Sequence, residues 1–336
     1  MQGKLLAVAL FASIPLAASA QSSVTVYGVM DAALAKEDTG APNGSRTAIN
    51  SGNQSSSRLG FRGTEDLGMG LKAVFNIEAG VALDTGMGDT ALFGRRAVVG
   101  VSGGFGSLMI GREYTPIADV AKETDVLGQG FYGSNLSAFG SGRLTRRISN
   151  SVNYKSNSMA GFKVAAAYAT GETSTGPSAD LMGLSAEFAK GGFYLGAGYH
   201  TFERLATGDD KEMILGGGYK FGPFELKANF IEANPTGANN KFEQVNLGAA
   251  YTIAAHKVFA NYQTNELENG AKGNGFTLAY SYTLSKRTNV YASYATLRNN
   301  AKGVFGLTSA GTNVTPPATA PGSDPSALSL GVRHSF

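Results

Sequence analysis

Apolar and polar side chains alternate with a period of two residues through most of this chain. Between residues 71 and 83 every odd position is apolar, whereas Lys72, Asn76 and Glu78 occupy even positions. Segments of about ten residues with this period recur up to the last residue, and no comparable helical period follows residue 20. Because successive side chains of a strand point to opposite faces, the pattern predicts an all-β chain whose strands each have one apolar face.

The connections between these segments alternate between short and long. The short ones are rich in Gly and small residues, which suits tight turns, and they lie at 68–70, 103–106, 157–161, 190–192, 222–223, 254–256 and 285–287. The long ones are polar and lie at 37–56, 84–91, 114–146, 171–179, 204–210, 235–241, 266–272 and 299–325.

Seven short turns join eight hairpins and therefore predict sixteen strands. An even strand count, with short turns at one end and long loops at the other, is typical of an antiparallel transmembrane β-barrel. A soluble β-propeller is the alternative for an all-β chain of this length, but its blades should repeat a motif at a fixed period, and none is found.

Residues 1–20 predict an export signal. They have one positive charge at Lys4, then an apolar run, and small residues at Ala18 and Ala20. This order is typical of a cleaved signal peptide and is too short for a membrane-spanning helix. The barrel would then comprise residues 21–336.

Composition and the positions of the histidines exclude several classes of site. The chain has no Cys and so can form neither a disulfide nor a thiolate metal site. A net charge of +3, without a dense basic run, does not predict a nucleic-acid partner. His200, His256 and His334 are the only histidines, and they form no hydrolase or His-Glu-x-x-His motif. We therefore predict no catalysis, no cofactor and no metal.

The connection at residues 114–146 is about 20 residues longer than its neighbours. Loops of that length usually have a function of their own. A barrel of sixteen strands also encloses a lumen too wide for side chains to fill. The sequence therefore predicts that this segment folds inside the barrel and constricts it. Its acids are Asp119, Glu123 and Asp125.

Arginines on or beside the predicted strands would face these acids. The candidates are Arg58, Arg62, Arg95, Arg96 and Arg147. Acids opposite arginines would create a transverse field at the narrowest point. The polar face of its strand assigns Arg58 to the lumen and makes Arg62 a further candidate. Arg95 and Arg96 are consecutive, so alternation predicts that at most one of them faces the lumen. The alternative is that all these arginines are solvated charges at the rim.

Five segments have a recognisable order. They are VTVYGVMD at 24–31, SRLGFRGTEDLG at 57–68, 100–112 ending in Ile-Gly-Arg, RISNSVNY at 147–154, and the terminal GVRHSF at 331–336. In this order, with the signal and the terminal Phe, the chain resembles the Gram-negative general porins of the neisserial and burkholderial type along essentially its whole mature length. The resemblance implies a homotrimer of sixteen-stranded barrels in the outer membrane, surrounded by lipid and lipopolysaccharide, with the third long loop folded inside.

The resemblance also implies roles for particular residues. By local motif, the arginine ladder of such porins corresponds to Arg58, Arg95 and Arg147, and the loop acids correspond to Asp119 and Asp125. The terminal Phe336 resembles the signal that the outer-membrane assembly machinery reads.

Two positions depart from the pattern of enteric relatives. Gln129 stands where a second constriction acid is expected, and no Lys lies near Val29 on the first strand. The missing acid should make the constriction more positive, and the missing lysine should make it less so. We expect a weak to moderate anion preference.

The predicted function is passive diffusion of small hydrophilic solutes and ions through a water-filled channel. A solute-specific channel is the nearest alternative, and a non-conducting structural or adhesive barrel is a more distant one. The connection at 299–325, rich in Ala, Thr, Gly and Pro, predicts a flexible extracellular segment without a specificity motif.

Overall fold

The computed structural model describes residues 23–140, 143–205, 208–236 and 241–336, so the predicted signal at 1–20 lies outside the described residues. In chain order the elements are β1 Ser23–Asp38, β2 Ser45–Ser51, β3 Arg58–Gly68, β4 Leu71–Gly80, β5 Arg96–Gly103, β6 Gly106–Tyr114, α1 Pro116–Glu123, a 3-10 helix Asn135–Ala138, β7 Arg147–Lys155, β8 Phe162–Ala169, β9 Leu181–Lys190, β10 Phe193–Leu205, β11 Gly208–Phe221, β12 Phe224–Asn234, β13 Phe242–Ile253, β14 His256–Leu267, β15 Lys272–Thr283, β16 Thr288–Asn299, β17 Leu307–Thr308, β18 Asn313–Val314 and β19 Ser326–Ser335. Neither helix of the described chain is long and apolar enough to cross a membrane.

The strands form one closed antiparallel barrel. From β3 to β16 each strand pairs with the next, and β19 pairs with both β16 and β1. The last residue completes the closure, because Gly28 and Phe336 exchange two backbone hydrogen bonds of 3.1 Å. Closure gives each described strand of this ring a partner on both sides, whereas β2 pairs with β1 alone. The predicted seven short turns and sixteen strand positions are confirmed.

The second position of the barrel is divided between two strands. The first half of β1 pairs with β3, and its second half, Ala32 to Asp38, pairs with β2. Residues 37–56 were predicted as a loop throughout, whereas β2 lies inside them. Strand β2 supplies backbone hydrogen-bond partners to the second half of β1, which would otherwise lack them on the side facing away from β19.

The two faces of the wall differ in polarity. Along β15 the outward residues Phe276, Leu278 and Tyr280 are exposed, whereas Thr277 and Ser281 on the alternate face point inward and are buried. This arrangement is that of an outer-membrane barrel, with an apolar exterior and a polar interior.

Aromatic rings also form a row beside the short turns. Phe193 contacts Tyr219 at 4.4 Å between centroids, Tyr219 contacts Phe221 at 5.3 Å, and Phe224 joins Phe221 to Tyr251. Such a row is typical of the aromatic girdle at a membrane interface.

Residues 115–146, which we name the inner loop, fold into the barrel. The loop leaves and rejoins the wall at one place, where Thr115 N donates to Arg146 O at 3.1 Å. Helix α1 begins there because Thr115 caps it and Pro116 occupies its first turn. Its apolar residues Ile117 and Val120 are fully buried against the wall.

Glycines on the inner surface of the wall make room for this loop. A Cβ at Gly216 would lie 2.7 Å from Thr124 Cγ2, and one at Gly248 would lie 2.2 Å from Val126 Cγ1. Larger residues on β11 and β13 would therefore push the loop into the open lumen. The abundance of Gly thus serves close packing as well as turns.

Residues 300–325, which we name the last loop, also fold inward. The prediction that this segment is flexible was wrong, whereas its extracellular location stays a prediction. Strands β17 and β18 form a small hairpin, and Phe305, Leu307 and Val314 are buried in the same apolar cluster as Tyr132 of the inner loop. Ala310 N donates to Gly130 O at 2.7 Å. Three apolar side chains in a segment of mostly small residues were enough to favour burial.

Candidate functional site

The inner loop and the wall enclose a polar cavity of about 250 Å³. Its lining includes Arg58, Glu78, Arg95, Arg96, Tyr114 and Asp119. Arg146 and Gln129 line it from the inner loop. We name Arg58, Arg95, Arg96, Arg146 and Arg147 the arginine cluster.

Glu78 on β4 is the carboxylate that joins two members of this cluster. Its Oε1 accepts from Arg95 Nε at 2.6 Å, and its Oε2 lies 3.4 Å from Arg58 Nε. Tyr27 on β1 also donates to Glu78 at 3.2 Å. Alternation places Glu78 on the polar face of its strand, but no motif in the sequence predicts a role for it. The only signal available was this alternation.

Arg95 and Arg96 both line the cavity, so the prediction that at most one faces the lumen was wrong. Arg96 is the first residue of β5 and lies opposite Glu78 across the ladder, whereas Arg95 precedes the strand. Outside a strand the alternation of faces no longer applies. Arg95 therefore reaches Glu78, and Arg96 reaches a second carboxylate, Glu113, at 2.6 Å.

A β-bulge gives Glu113 and Tyr114 access to the same cluster. The pairing of β6 with β7 shifts register between Gly111 and Glu113. Bulges redirect side chains. After the shift Tyr114 lies opposite Arg147, the first residue of β7. Tyr114 Oη accepts from Arg147 at 2.8 Å and from Arg95 at 3.0 Å.

Arg146 and Gln129 join the inner loop to the cluster. Arg146 donates to Gln129 Oε1 at 2.9 Å, and Gln129 is buried. Burial, with the charge of neighbouring Arg147, lowers the pKa of Arg146 to about 10. Arg146 therefore stays charged at neutral pH.

The two predicted loop acids differ in position. Asp119 lines the cavity, but it pairs with Lys155 at the end of β7, at 2.5 Å. Nothing in the sequence singled out Lys155, because its pairing with Asp119 depends on the infolded position of the loop.

Asp125 does not face the arginines, in contrast to the prediction. Its side chain is fully buried and accepts from the backbone amides of Leu127, Gln129 and Asn135. Burial raises its pKa, although these hydrogen bonds lower it. Asp125 therefore stabilises the fold of the inner loop. The two tight turns of the loop that bring these amides to its carboxylate could not be predicted from the residue type alone.

Arg62 lies apart from the cluster. It is exposed, nearer the short turns, with its guanidinium carbon 5.1 Å from the centre of the Tyr27 ring.

The cluster carries an excess of positive charge. Five guanidiniums face two carboxylates, Glu78 and Glu113, which leaves a net charge of +3 because Arg remains ionised. The Asp119–Lys155 pair adds no net charge. Among the described residues, no group of three or more His, Asp or Glu side chains could hold a metal ion.

Two buried side chains tether the inner loop on the opposite wall. His200 Nε2 accepts from Ile117 N at 3.2 Å, and His200 Nδ1 lies 3.3 Å from Glu212. Glu212 accepts from both the backbone and the hydroxyl of Thr145. One wall contact therefore holds both ends of the loop, near Ile117 and near Thr145.

A closed barrel with an infolded loop is the architecture of a known family. The family described as Gram-negative porin matches residues 6–302 of this sequence. The chain belongs to the Gram-negative porin family. The porin is 32% identical over 367 residues to outer membrane porin protein 32 of Delftia acidovorans, with all of both chains covered. It is also 30% identical over 217 residues to the major outer membrane protein P.IB of Neisseria gonorrhoeae, covering 63% of this chain and 60% of the other.

Solved structures agree with this assignment. The anion-selective porin from Comamonas acidovorans superposes with a TM-score of 0.81 at 27% identity, covering 94% of this chain and 100% of the other. OmpT of Vibrio cholerae, in its trimer form, has the same fold, with a TM-score of 0.71 at 20% identity, covering 94% of this chain and 99% of the other. The protein is therefore an outer-membrane diffusion channel, and its family and fold are those of a channel rather than an enzyme.

Proposed function

We propose that this channel prefers anions and that the inner loop, within residues 114–146, constricts it opposite the arginine cluster. The observation that carries the proposal is the net charge of +3 on the arginine cluster and its two carboxylates. Four of these arginines and Glu78 line one polar cavity, and Arg147 joins them through Tyr114. An uncompensated positive charge attracts anions and repels cations over the few ångströms of a narrow aqueous passage.

The mechanism is passive diffusion. Small hydrophilic solutes and ions move down their gradients, and the channel selects them by size and charge without turnover or catalysis. The pairing of Asp119 with Lys155 supports an anion preference, because it removes the one acid of the inner loop that lines the cavity from the charge balance. The anion-selective porin from Comamonas acidovorans supports the same sign.

The remaining predictions concern export and assembly. Residues 1–20 would be cleaved as a signal peptide. The mature chain would form a homotrimer in contact with lipid and lipopolysaccharide through its apolar exterior. Phe336 would be read by the assembly machinery before it closes the barrel; its side chain is exposed, as are those of Leu328, Leu330 and Val332 on the same strand.

The proposal is tested by the reversal potential of the purified protein in a planar bilayer under a KCl gradient. We expect conductance steps in threes and a chloride-directed potential. The double variant Arg58→Ser, Arg147→Ser lowers the cluster from +3 to +1. It should reduce the chloride-to-potassium permeability ratio about fivefold or more, because each charge 4–8 Å from an ion in water contributes roughly 0.5–1 kcal/mol.

The matched control is Arg298→Ser, which removes an exposed arginine from the outer face of β16 and should leave the ratio unchanged. An unchanged ratio in the double variant would remove Arg58 and Arg147 from the constriction. A folded barrel without conductance would instead favour a structural or adhesive role.

A solute-specific channel is the second candidate. It is favoured by a cavity of about 540 Å³ that Gly311 and Thr312 of the last loop line together with Arg95, Arg146 and Arg147. Swelling rates of proteoliposomes in a series of sugars and organic anions separate the two candidates. A general channel ranks solutes by size and charge. A specific channel admits one chemical class faster, and its rate saturates.

A further inference from the structure

Among the described residues, Tyr114 is the uncharged side chain that four members of the arginine cluster contact. Its hydroxyl accepts from Arg95 and Arg147. The guanidinium carbons of Arg147, Arg146 and Arg96 lie 4.5, 5.6 and 5.7 Å from the centre of its ring. These distances are within the range of cation–π attraction.

The carboxylates do not reach the whole cluster. Glu78 pairs with Arg58 and Arg95, and Glu113 pairs with Arg96. Within the described chain, Arg147 has no carboxylate partner, and Tyr114 Oη is the only hydrogen-bond acceptor of its guanidinium. The buried Nε of Arg147 has no acceptor there.

Holding like charges together requires a group that attracts cations without cancelling their charge. A carboxylate would stabilise Arg147 more strongly but would lower the net charge of the cluster by one. A phenol supplies a neutral acceptor oxygen and the negative face of a ring. At Tyr114 both features act on the same guanidinium.

We propose that Tyr114 determines the charge selectivity of the channel by fixing the uncompensated guanidinium of Arg147 beside the passage. Tyr114 is a positioning residue, because it acts through Arg147. The inference rests on the proposed anion-preferring function and extends it to a residue outside the arginine ladder.

The test is a double-mutant cycle on the chloride-to-potassium permeability ratio, measured as the reversal potential under a KCl gradient. Tyr114→Phe keeps the ring and removes the acceptor oxygen. It should lower the ratio about twofold, the effect of a single charge that retreats from about 4 to about 8 Å from a passing ion in water. Arg147→Gln should lower the ratio at least as much. The double variant should match Arg147→Gln alone, because the phenol then has no charge to position.

Tyr194→Phe is the matched control. Its hydroxyl donates to a carboxylate, Glu187, at 2.8 Å instead of accepting from arginines, and no arginine ring contact involves it in the described chain. This variant should keep the wild-type ratio. Heat-modifiable migration of each variant in detergent gels shows that the barrel has folded.

Three outcomes would overturn the inference. They are a wild-type ratio in folded Tyr114→Phe, a Tyr114→Phe effect that persists undiminished in the Arg147→Gln background, and an equal effect of Tyr194→Phe. Because the cycle compares changes in the ratio, it tests Tyr114 even if the wild-type channel prefers potassium. That result would refute only the proposed anion preference.

Discussion

Gln129 shows how one neutral side chain can leave an arginine cluster uncompensated. Its Oε1 accepts from Arg146, and its Nε2 donates to Asn135 at 3.1 Å, so the amide is held at both ends. A carboxylate at this position would meet Arg146 at the distance of an ion pair. The amide satisfies the guanidinium geometrically while leaving its charge in place.

The substitution Gln129→Glu should therefore weaken the anion preference. It lowers the net charge of the cluster from +3 to +2, and we expect the chloride-to-potassium permeability ratio to fall about twofold to fivefold. The measurement is the reversal potential at neutral pH. Gln129→Met changes the hydrogen bonds without adding charge. In this variant the permeability ratio should fall much less. Equal effects of the two variants would indicate that loop geometry, rather than charge, controls the ratio.

Among the elements, two loops rather than one, the inner loop and the last loop, fold into the end of the barrel that carries the long connections. The inner loop is held by the packing of α1 against β9 to β11 and by His200 and Glu212. The last loop packs on the inner loop, through the hydrogen bond from Ala310 and through the buried side chain of Leu307. Ser56 also donates to Ala310 O at 2.7 Å, which joins the last loop to the wall. We infer that these two loops narrow the passage from two directions.

Shortening the last loop should widen the channel. Replacing residues 301–323 with Gly-Ser-Gly removes the β17–β18 hairpin and Phe305 from the mouth, whereas the barrel strands β16 and β19 remain. We expect a larger single-channel conductance with the same sign of ion preference, because the arginine cluster stays in place. An equivalent shortening of residues 171–179, which are mostly exposed, is the control and should leave conductance unchanged. An unaltered conductance in the first variant would show that the last loop does not limit the current.

In the whole molecule, one layer of strands separates the lipid outside the barrel from the polar interior. Outward side chains such as Leu247 and Leu278 are apolar and exposed, and inward ones such as Asn246 and Asn261 are polar and buried against the inner loop. Asn261 donates to Gly133 O at 3.0 Å, and Thr277 donates to Tyr132 O at 2.9 Å. The polar interior thus satisfies the loop backbone, while the exterior requires lipid.

A charge on the exterior should be destabilising in proportion to its depth. Leu247→Arg, at the middle of β13, should lower the free energy of unfolding in lipid vesicles by about 2–4 kcal/mol. Val258→Arg, two residues beyond the short turn that precedes β14, should cost only about 0–1 kcal/mol. The comparison is made by urea unfolding of reconstituted protein. Equal costs would place the bilayer boundary elsewhere.

Much of the wall could be predicted because its signals are local. The alternation at residues 71–83 is enough to predict a strand, and Gly68 and Gly70 indicate the turn before it. The strand count and the bounds of the inner loop follow from the spacing of such signals. The split between β2 and β3 could not be predicted, because it depends on the register of β1 with three other strands.

The site was less predictable. The sequence by itself determined an all-β barrel, an unusually long connection and a set of arginines on polar faces. Only the tertiary structure decided that Arg95 and Arg96 share one cavity, that Asp125 is buried within the loop, that Lys155 pairs with Asp119, and that Tyr114 joins the cluster. Alternation is a property of neighbouring residues. These contacts instead join residues far apart in the chain, and they exist only after the barrel has closed and the loop has folded into it.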